Sequence, residues 1–146
     1  MTDRTVIQSI TYRPAVTASA QSSAYHAACI MAGAHCGSVV AVDSAGALIG
    51  IFTERDVMTR IVAKGLNPEK TLLSDVMTKH PRSVAPDTPV SDAVLLMREH
   101  GFRHLPILSA SSKIMGVFSI RDASPREISE ADDLAEYLDQ INDAPA

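Results

Sequence analysis

Gly50-Ile-Phe-Thr-Glu-Arg-Asp56 and Gly116-Val-Phe-Ser-Ile-Arg-Asp122 are one phrase written twice, 66 residues apart. At that offset residues 26–56 fall on 92–122 without a gap, and six of the 31 columns are identical: Ala27/Ala93, Met31/Met97, Gly50/Gly116, Phe52/Phe118, Arg55/Arg121 and Asp56/Asp122. Ordinary residue frequencies would give roughly two. Most other columns pair apolar with apolar, as in Val39/Leu105, Leu48/Ile114 and Ile51/Val117. The chain is a duplicated unit of about 60 residues, and its reading starts from that repeat.

Each unit reads strand, helix, strand, strand, helix. Pro14–Ala18 and Arg82–Pro86 are short extended leads. Thr88 is a candidate cap for a helix over 89–100, Pro89 suits its first position, and Val90, Ala93, Val94 and Met97 share one face. Residues 22–34 repeat that pattern. Val39–Val42 is a continuous apolar run, expected of a strand covered on both faces. Leu48–Phe52 and Ile114–Phe118 are the following strands. A helix is expected from Thr53 to Lys64, ended by Gly65, and a short one over 72–77. Pro125 cuts the second copy short, because it lacks a donor and clashes with the preceding turn. Beyond it, 126–141 predicts an acidic amphipathic helix with Ile128, Ala131, Leu134, Leu138 and Ile141 on one face. That helix is either a packing tail or a surface for a partner. The expected division is 1–66 for the first repeat, 67–80 for a linker with a short helix, 81–124 for the second repeat and 125–146 for the tail.

The chain has 146 residues, 46% hydrophobic and 21% charged, enough to bury a core without disulfides or metal. Thirteen Lys and Arg against seventeen Asp and Glu give a formal charge of −4. That balance disfavours nucleic-acid binding, which needs phosphate neutralisation. No run approaches the ~18 apolar residues of a membrane helix, and residues 1–10 show no secretory signal. Two cysteines suit a reducing compartment, so a cytoplasmic location is expected.

The phrase itself is Gly-h-h-[Ser/Thr]-x-x-Asp, where h is apolar, with a strand before the hydroxyl and a helix after it. Free N–H groups at a helix start attract phosphate. Thr53 or Ser119 adds a hydroxyl there, and Asp56 or Asp122, one turn on, can accept two hydrogen bonds from a vicinal diol such as ribose. The same spacing is close to a capping box, which satisfies helix donors and binds nothing else. The residues by themselves leave both readings open.

This tandem phrase, with Ser74-Asp-Val-Met-Thr78 before the second copy and Arg103-His-Leu-Pro-Ile107 within it, resembles a CBS-domain pair over residues 10–123. The resemblance implies an α/β fold of the α+β type: two tandem β-α-β-β-α repeats packed about a pseudo-twofold axis. It implies clefts between the repeats that bind an adenosyl ligand (AMP, ATP, NAD or S-adenosylmethionine), no catalysis, no required cofactor, and a homodimer; a protein partner in trans is a further expectation. By position, Thr53, Ser119, Asp56 and Asp122 would hold ribose and phosphate. Arg103 and His104 would meet phosphate, where the first repeat has Gly37 and Ser38. Arg55, Arg121 and Ile120 lie within the phrase beside these residues, and Glu54 stands opposite Ile120. Thr17, Ala18, Ser83 and Val84 would meet adenine, partly through backbone, although the first lead lacks the Pro86-Asp87 turn of the second.

Arg55 and Arg121 also read as solvated helix charges, Arg103 and His104 as surface residues, and Phe52 and Phe118 as core. A metal site from His26, Cys29, His35 and Cys36 is a further alternative, but its spacing fits no standard zinc pattern. Cys29 aligns with Leu95 and is expected to be buried. An empty docking or dimerisation module is the second functional reading.

Overall fold

The computed structural model describes residues 3–142. Residues 1 and 2 of the expected first repeat and 143–146 of the expected tail lie outside it. The described residues form two compact units, one of residues 14–82 with 110–114, the other of residues 3–13 with 83–109 and 115–142.

In the 14–82 unit, β1 (Thr17–Ser19) runs parallel to β2 (Ser38–Val42), which pairs antiparallel with β3 (Leu48–Thr53), as does β3 with β4 (Thr78–Lys79). Both strands form where the sequence predicts them, and the lead expected over 14–18 becomes a strand only at Thr17–Ser19. Between β1 and β2 lies α2 (Ala24–Gly33), capped by Ser23, whose hydroxyl accepts from His26 N. It buries Ala24, Ala27 and Met31 against Val39, Ala41 and Phe52. The small alanines let this helix lie close to the sheet, and fully burying Phe52 stabilises by about 1.5–3 kcal/mol.

The helix expected from Thr53 to Lys64 is present in altered form. Only Glu54–Asp56 (α3) is α-helical, and Val57–Val62 continues it with π-helical bonding. Gly65 ends it at φ +66°, a left-handed conformation that costs glycine nothing. Along this segment Arg60 donates to Val76 O at 3.1 Å and Met77 O at 2.8 Å. It thereby satisfies carbonyls at the end of α4 (Leu73–Val76), which follows a 3₁₀ turn over Pro68–Lys70.

In the other unit, β5 (His104–Leu108) pairs with β6 (Ile114–Ser119), and Val84 of the second lead bridges Ile107 in parallel. Helix α5 (Val90–His100) buries Val90, Ala93, Val94 and Met97 as its periodicity predicts. Its start corrects the expectation. Pro89 is the cap residue itself, with no side-chain bond from Thr88. Instead Arg4 O accepts from Val90 N at 2.9 Å, and Val6 N donates to Thr88 O at 2.8 Å. These bonds dock the N-terminal helix α1 (Val6–Ser9), whose Thr5 and Gln8 form a reciprocal cap. Val6, Ile7 and Ile10 then complete a core with Leu105, Ile107 and Phe118.

The two units thus share a device. Thr5 bridges Pro89 ahead of α1, and Leu72 bridges Ser23 ahead of α4. Each repeat's leading helix is built into the unit of the other repeat. Gly50 and Gly116 receive the end of that lead. A Cβ at Gly50 would stand 2.4 Å from Met77 Sδ, and one at Gly116 would stand 2.4 Å from Ile10 Cδ1 and 3.0 Å from Arg13 O.

After β6 a 3₁₀ turn, Ile120–Asp122, replaces the second helix of the repeat, and α6 (Pro125–Asn142) begins where Pro125 predicts a restart. The expected apolar face is only half used. Ala131 is buried and Ile128 packs on the core, while Leu138 and Ile141 are exposed. Among the described residues no helix is long and apolar enough to cross a membrane.

Candidate functional site

Both copies of the repeated phrase sit where a strand turns into a helical segment. Thr53 ends β3 and caps α3. Its hydroxyl accepts from Asp56 N at 3.4 Å, and Asp56 Oδ2 accepts from Thr53 N at 2.9 Å and lies 3.2 Å from Thr53 Oγ1. Ser119 ends β6 in the same way. Its hydroxyl accepts from Arg121 N at 3.3 Å, and Asp122 Oδ2 accepts from Ser119 N at 2.8 Å. Both copies form complete capping boxes. The capping role left open by the sequence is therefore realised in both copies.

Each carboxylate also faces an arginine that lies outside the repeated phrase. Arg60 Nε lies 3.4 Å from Asp56 Oδ1. Arg13 grips Asp122 with Nη2 3.1 Å from Oδ2 and Nη1 3.3 Å from Oδ1. Arg4 Nη2 donates to Asp122 O at 3.0 Å and to Glu127 Oε1 at 2.6 Å. Glu127 closes a further reciprocal cap at the start of α6, accepting from Ser124 N at 2.8 Å while Ser124 Oγ accepts from Glu127 N at 3.2 Å. The hydrogen bond from Arg4 holds the Glu127 carboxyl below its ordinary range, against the opposing effect of burial.

Some of the sequence-selected residues adjoin the phrases through the strand before each. Ser38 is buried and is the cross-strand partner of Thr53, and Glu54 N donates to Gly37 O at 3.0 Å. In the other unit the matching bond runs from Ile120 N to Arg103 O at 3.0 Å, which ties Arg103, the residue before β5, to the second phrase. The Arg103 side chain is exposed, His104 is half-buried, and Arg55 and Arg121 are exposed. Ile120 packs on the core where Glu54 faces solvent.

The leads contribute differently. Ala18 is buried in the core, whereas Thr17 is exposed. Ser83 is exposed. The backbone of Val84 is already used: its N–H donates to Pro106 O and its carbonyl accepts from Leu108 N.

Cys29 corrects its expectation. It is exposed, because α2 turns Ala24, Ala27 and Met31 inward and Cys29 lies roughly 200° around the helix from Ala27. Its hydrogen bond to Tyr25, exposed on the same helix, raises the phenol above its ordinary range. Cys36 donates to Ser38 O at 3.3 Å. Among the described residues no three His, Cys, Asp or Glu side chains gather where they could hold a metal ion.

Arg4, Arg13, Arg60 and Glu127 escaped the sequence reading. Arg60 was findable as a cation one turn after Asp56. Glu127 was findable in Ser124-Pro-Arg-Glu127, a capping box with proline at the first helical position. Arg4 and Arg13 carry no local signal, being 118 and 109 residues from Asp122 in the chain.

The family model described as CBS domain matches residues 7–63 and 73–124. A meiotically up-regulated protein of Schizosaccharomyces pombe is 42% identical over 103 residues, 70% of this chain but 14% of that protein. The chain therefore spans only a small part of that relative. Among solved structures, a CBS-domain protein from Burkholderia ambifaria superposes with a TM-score of 0.75 at 31% identity, covering 82% of this chain and 90% of that one. A CBS domain protein from Pyrobaculum aerophilum, complexed with AMP, shares the fold with a TM-score of 0.79 at 23% identity, covering 89% and 99%.

Proposed function

Because the chain belongs to the CBS domain family, with two matching segments in tandem, we propose that it is a non-catalytic regulatory module that binds an adenosyl ligand of the AMP, ATP, NAD or S-adenosylmethionine class. The observation that carries this reading is the hydroxyl–carboxylate pair, present twice at equivalent strand-to-helix turns as Thr53/Asp56 and Ser119/Asp122. The carboxylate accepts the ribose diol, and the hydroxyl and first amides meet phosphate. Arg103 and His104 add positive charge beside Ser119, where Gly37 and Ser38 add none beside Thr53. That difference gives the second copy the stronger attraction for phosphate. Thr17, Ala18, Ser83 and Val84 line the adenine side, with Arg55, Arg121 and Ile120 at the margins. A fold relative complexed with AMP supports the ligand class.

Ligand favours one conformation of the module, and a protein partner in trans reads the change. The module works as a cytoplasmic homodimer in this proposal. The exposed Met58, Val62 and Leu66 offer apolar surface for self-association.

Mass spectrometry of small molecules released from freshly purified protein tests the ligand class directly. A ligand at 100 times its Kd stabilises by about 2.7 kcal/mol, several degrees in Tm. A second reading, a ligand-free docking module, draws on the completed capping boxes and on Tyr137, Leu138 and Ile141, exposed toward the end of α6. Flat melting curves with AMP, ATP, NAD and S-adenosylmethionine would favour it.

A further inference from the structure

The two copies of the phrase differ in the arginine that faces the carboxylate and in how firmly that arginine is held. A carboxylate offers about four acceptor positions on its two oxygens. At Asp122 they are filled. Oδ2 accepts from Ser119 N at 2.8 Å and Arg13 Nη2 at 3.1 Å, and Oδ1 accepts from Arg13 Nη1 at 3.3 Å and Nη2 at 3.4 Å. A ribose diol brings two donors and needs two of those positions. Ser119 N is fixed in the capping turn, so only Arg13 can vacate them.

Arg13 is poorly anchored elsewhere. Among the described residues its guanidinium has, apart from Asp122, one long bond, 3.4 Å from Nη2 to Val117 O, and its side chain is 54% exposed. Arg60, opposite Asp56, is the contrasting case. It also donates to Val76 O, Met77 O and Thr78 Oγ1. Moving Arg60 would strip carbonyls at the end of α4 of their partner, whereas moving Arg13 exposes a guanidinium that is already half in water. The helix carrying the Arg13 segment stays docked meanwhile, because Val6, Ile7 and Ile10 remain buried.

We propose that Arg13 sets the ligand affinity of the Ser119–Asp122 copy: its guanidinium fills the carboxylate as seen here and swings into solvent when a ribose diol takes its place, while Arg60 keeps the Thr53–Asp56 copy closed. The inference rests on the adenosyl reading above and adds the residue that opposes it. The first ligand therefore enters at Asp122. Exposed ion pairs are worth about 0.2–1 kcal/mol, so removing the competitor tightens binding roughly 1.4- to 5-fold. Salt screens the pair and weakens the competition.

Isothermal titration with adenosine, which carries no charge of its own, tests this on the full chain. Wild type, Arg13→Gln, Lys64→Gln and Asp122→Asn are compared at low and high salt, with a melting curve for each to show that it is folded. The expected result is tighter adenosine binding by Arg13→Gln at low salt, a gap that closes at high salt, no change in Lys64→Gln, and loss of binding in Asp122→Asn. Unchanged or weaker binding by Arg13→Gln overturns the role of Arg13 alone. An equal gain in Lys64→Gln overturns it too, by showing a general charge effect. Folded wild type and Arg13→Gln that both fail to bind adenosine would remove the adenosyl reading and this inference together.

Discussion

Asp122 has two uses in the free chain, closing the cap on Ser119 N and pairing with Arg13. Its replacement separates structure from binding. Asp122→Ala is expected to abolish adenosyl binding while lowering the unliganded Tm by only a few degrees, since one cap contact is worth about 1 kcal/mol. Calorimetry beside a melting curve distinguishes this from a purely structural residue, for which stability alone would fall. The glycines that open the phrase give a second comparison. A methyl at Gly116 meets the backbone oxygen of Arg13 at 3.0 Å, which cannot step aside, besides the Ile10 side chain. A methyl at Gly50 meets only the flexible side chain of Met77. Urea denaturation should therefore find Gly116→Ala destabilising by about 1–3 kcal/mol and Gly50→Ala by less.

At the level of elements, the helix starts are satisfied by different means. Ser23 caps α2 from its own side chain, whereas α5 borrows a carbonyl from Arg4. Helix α6 is closed by Ser124 and Glu127 and tied back by Arg4. That tie predicts a pH dependence. The Glu127 carboxyl is depressed in the folded chain, chiefly by the Arg4 hydrogen bond, from an ordinary value of 4.5. Its contribution is thus fully present above the unfolded value and lost as pH falls through the lower folded one. Wild type should exceed Glu127→Gln in Tm at neutral pH, and the difference should shrink progressively below about pH 4.5. A constant difference across that range would show that the charge of Glu127 does not matter. The acidic α6 also keeps Leu138 and Ile141 exposed, so only its first half works as the packing tail that its sequence suggests.

For the molecule as a whole, the order of the chain is not the order of its units. Residues 3–13 stand at the start of the first repeat but belong with 83–109 and 115–142. Ile10 is wholly buried there, so Ile10→Ala is expected to cost about 2–5 kcal/mol. Denaturation read by hydrogen exchange should place the loss in β5, β6 and α5 before it reaches β1 and β2. The repeat, the strands, the restart at Pro125 and the core phenylalanines were legible in the sequence, because apolar periodicity and proline act through neighbours a few residues away. So was the hydroxyl–carboxylate phrase, whose capping geometry spans three residues. What only the tertiary structure decided is which charges face those carboxylates and which unit each leading helix completes. Arg13 reaches Asp122 because burial of Ile10 brings the N-terminal segment across β6, a contact between residues 109 apart that leaves no periodic trace in either segment. Local order is set by short-range sterics and hydrogen bonding, and the pairing of distant charges by the burial of apolar side chains that carries them there.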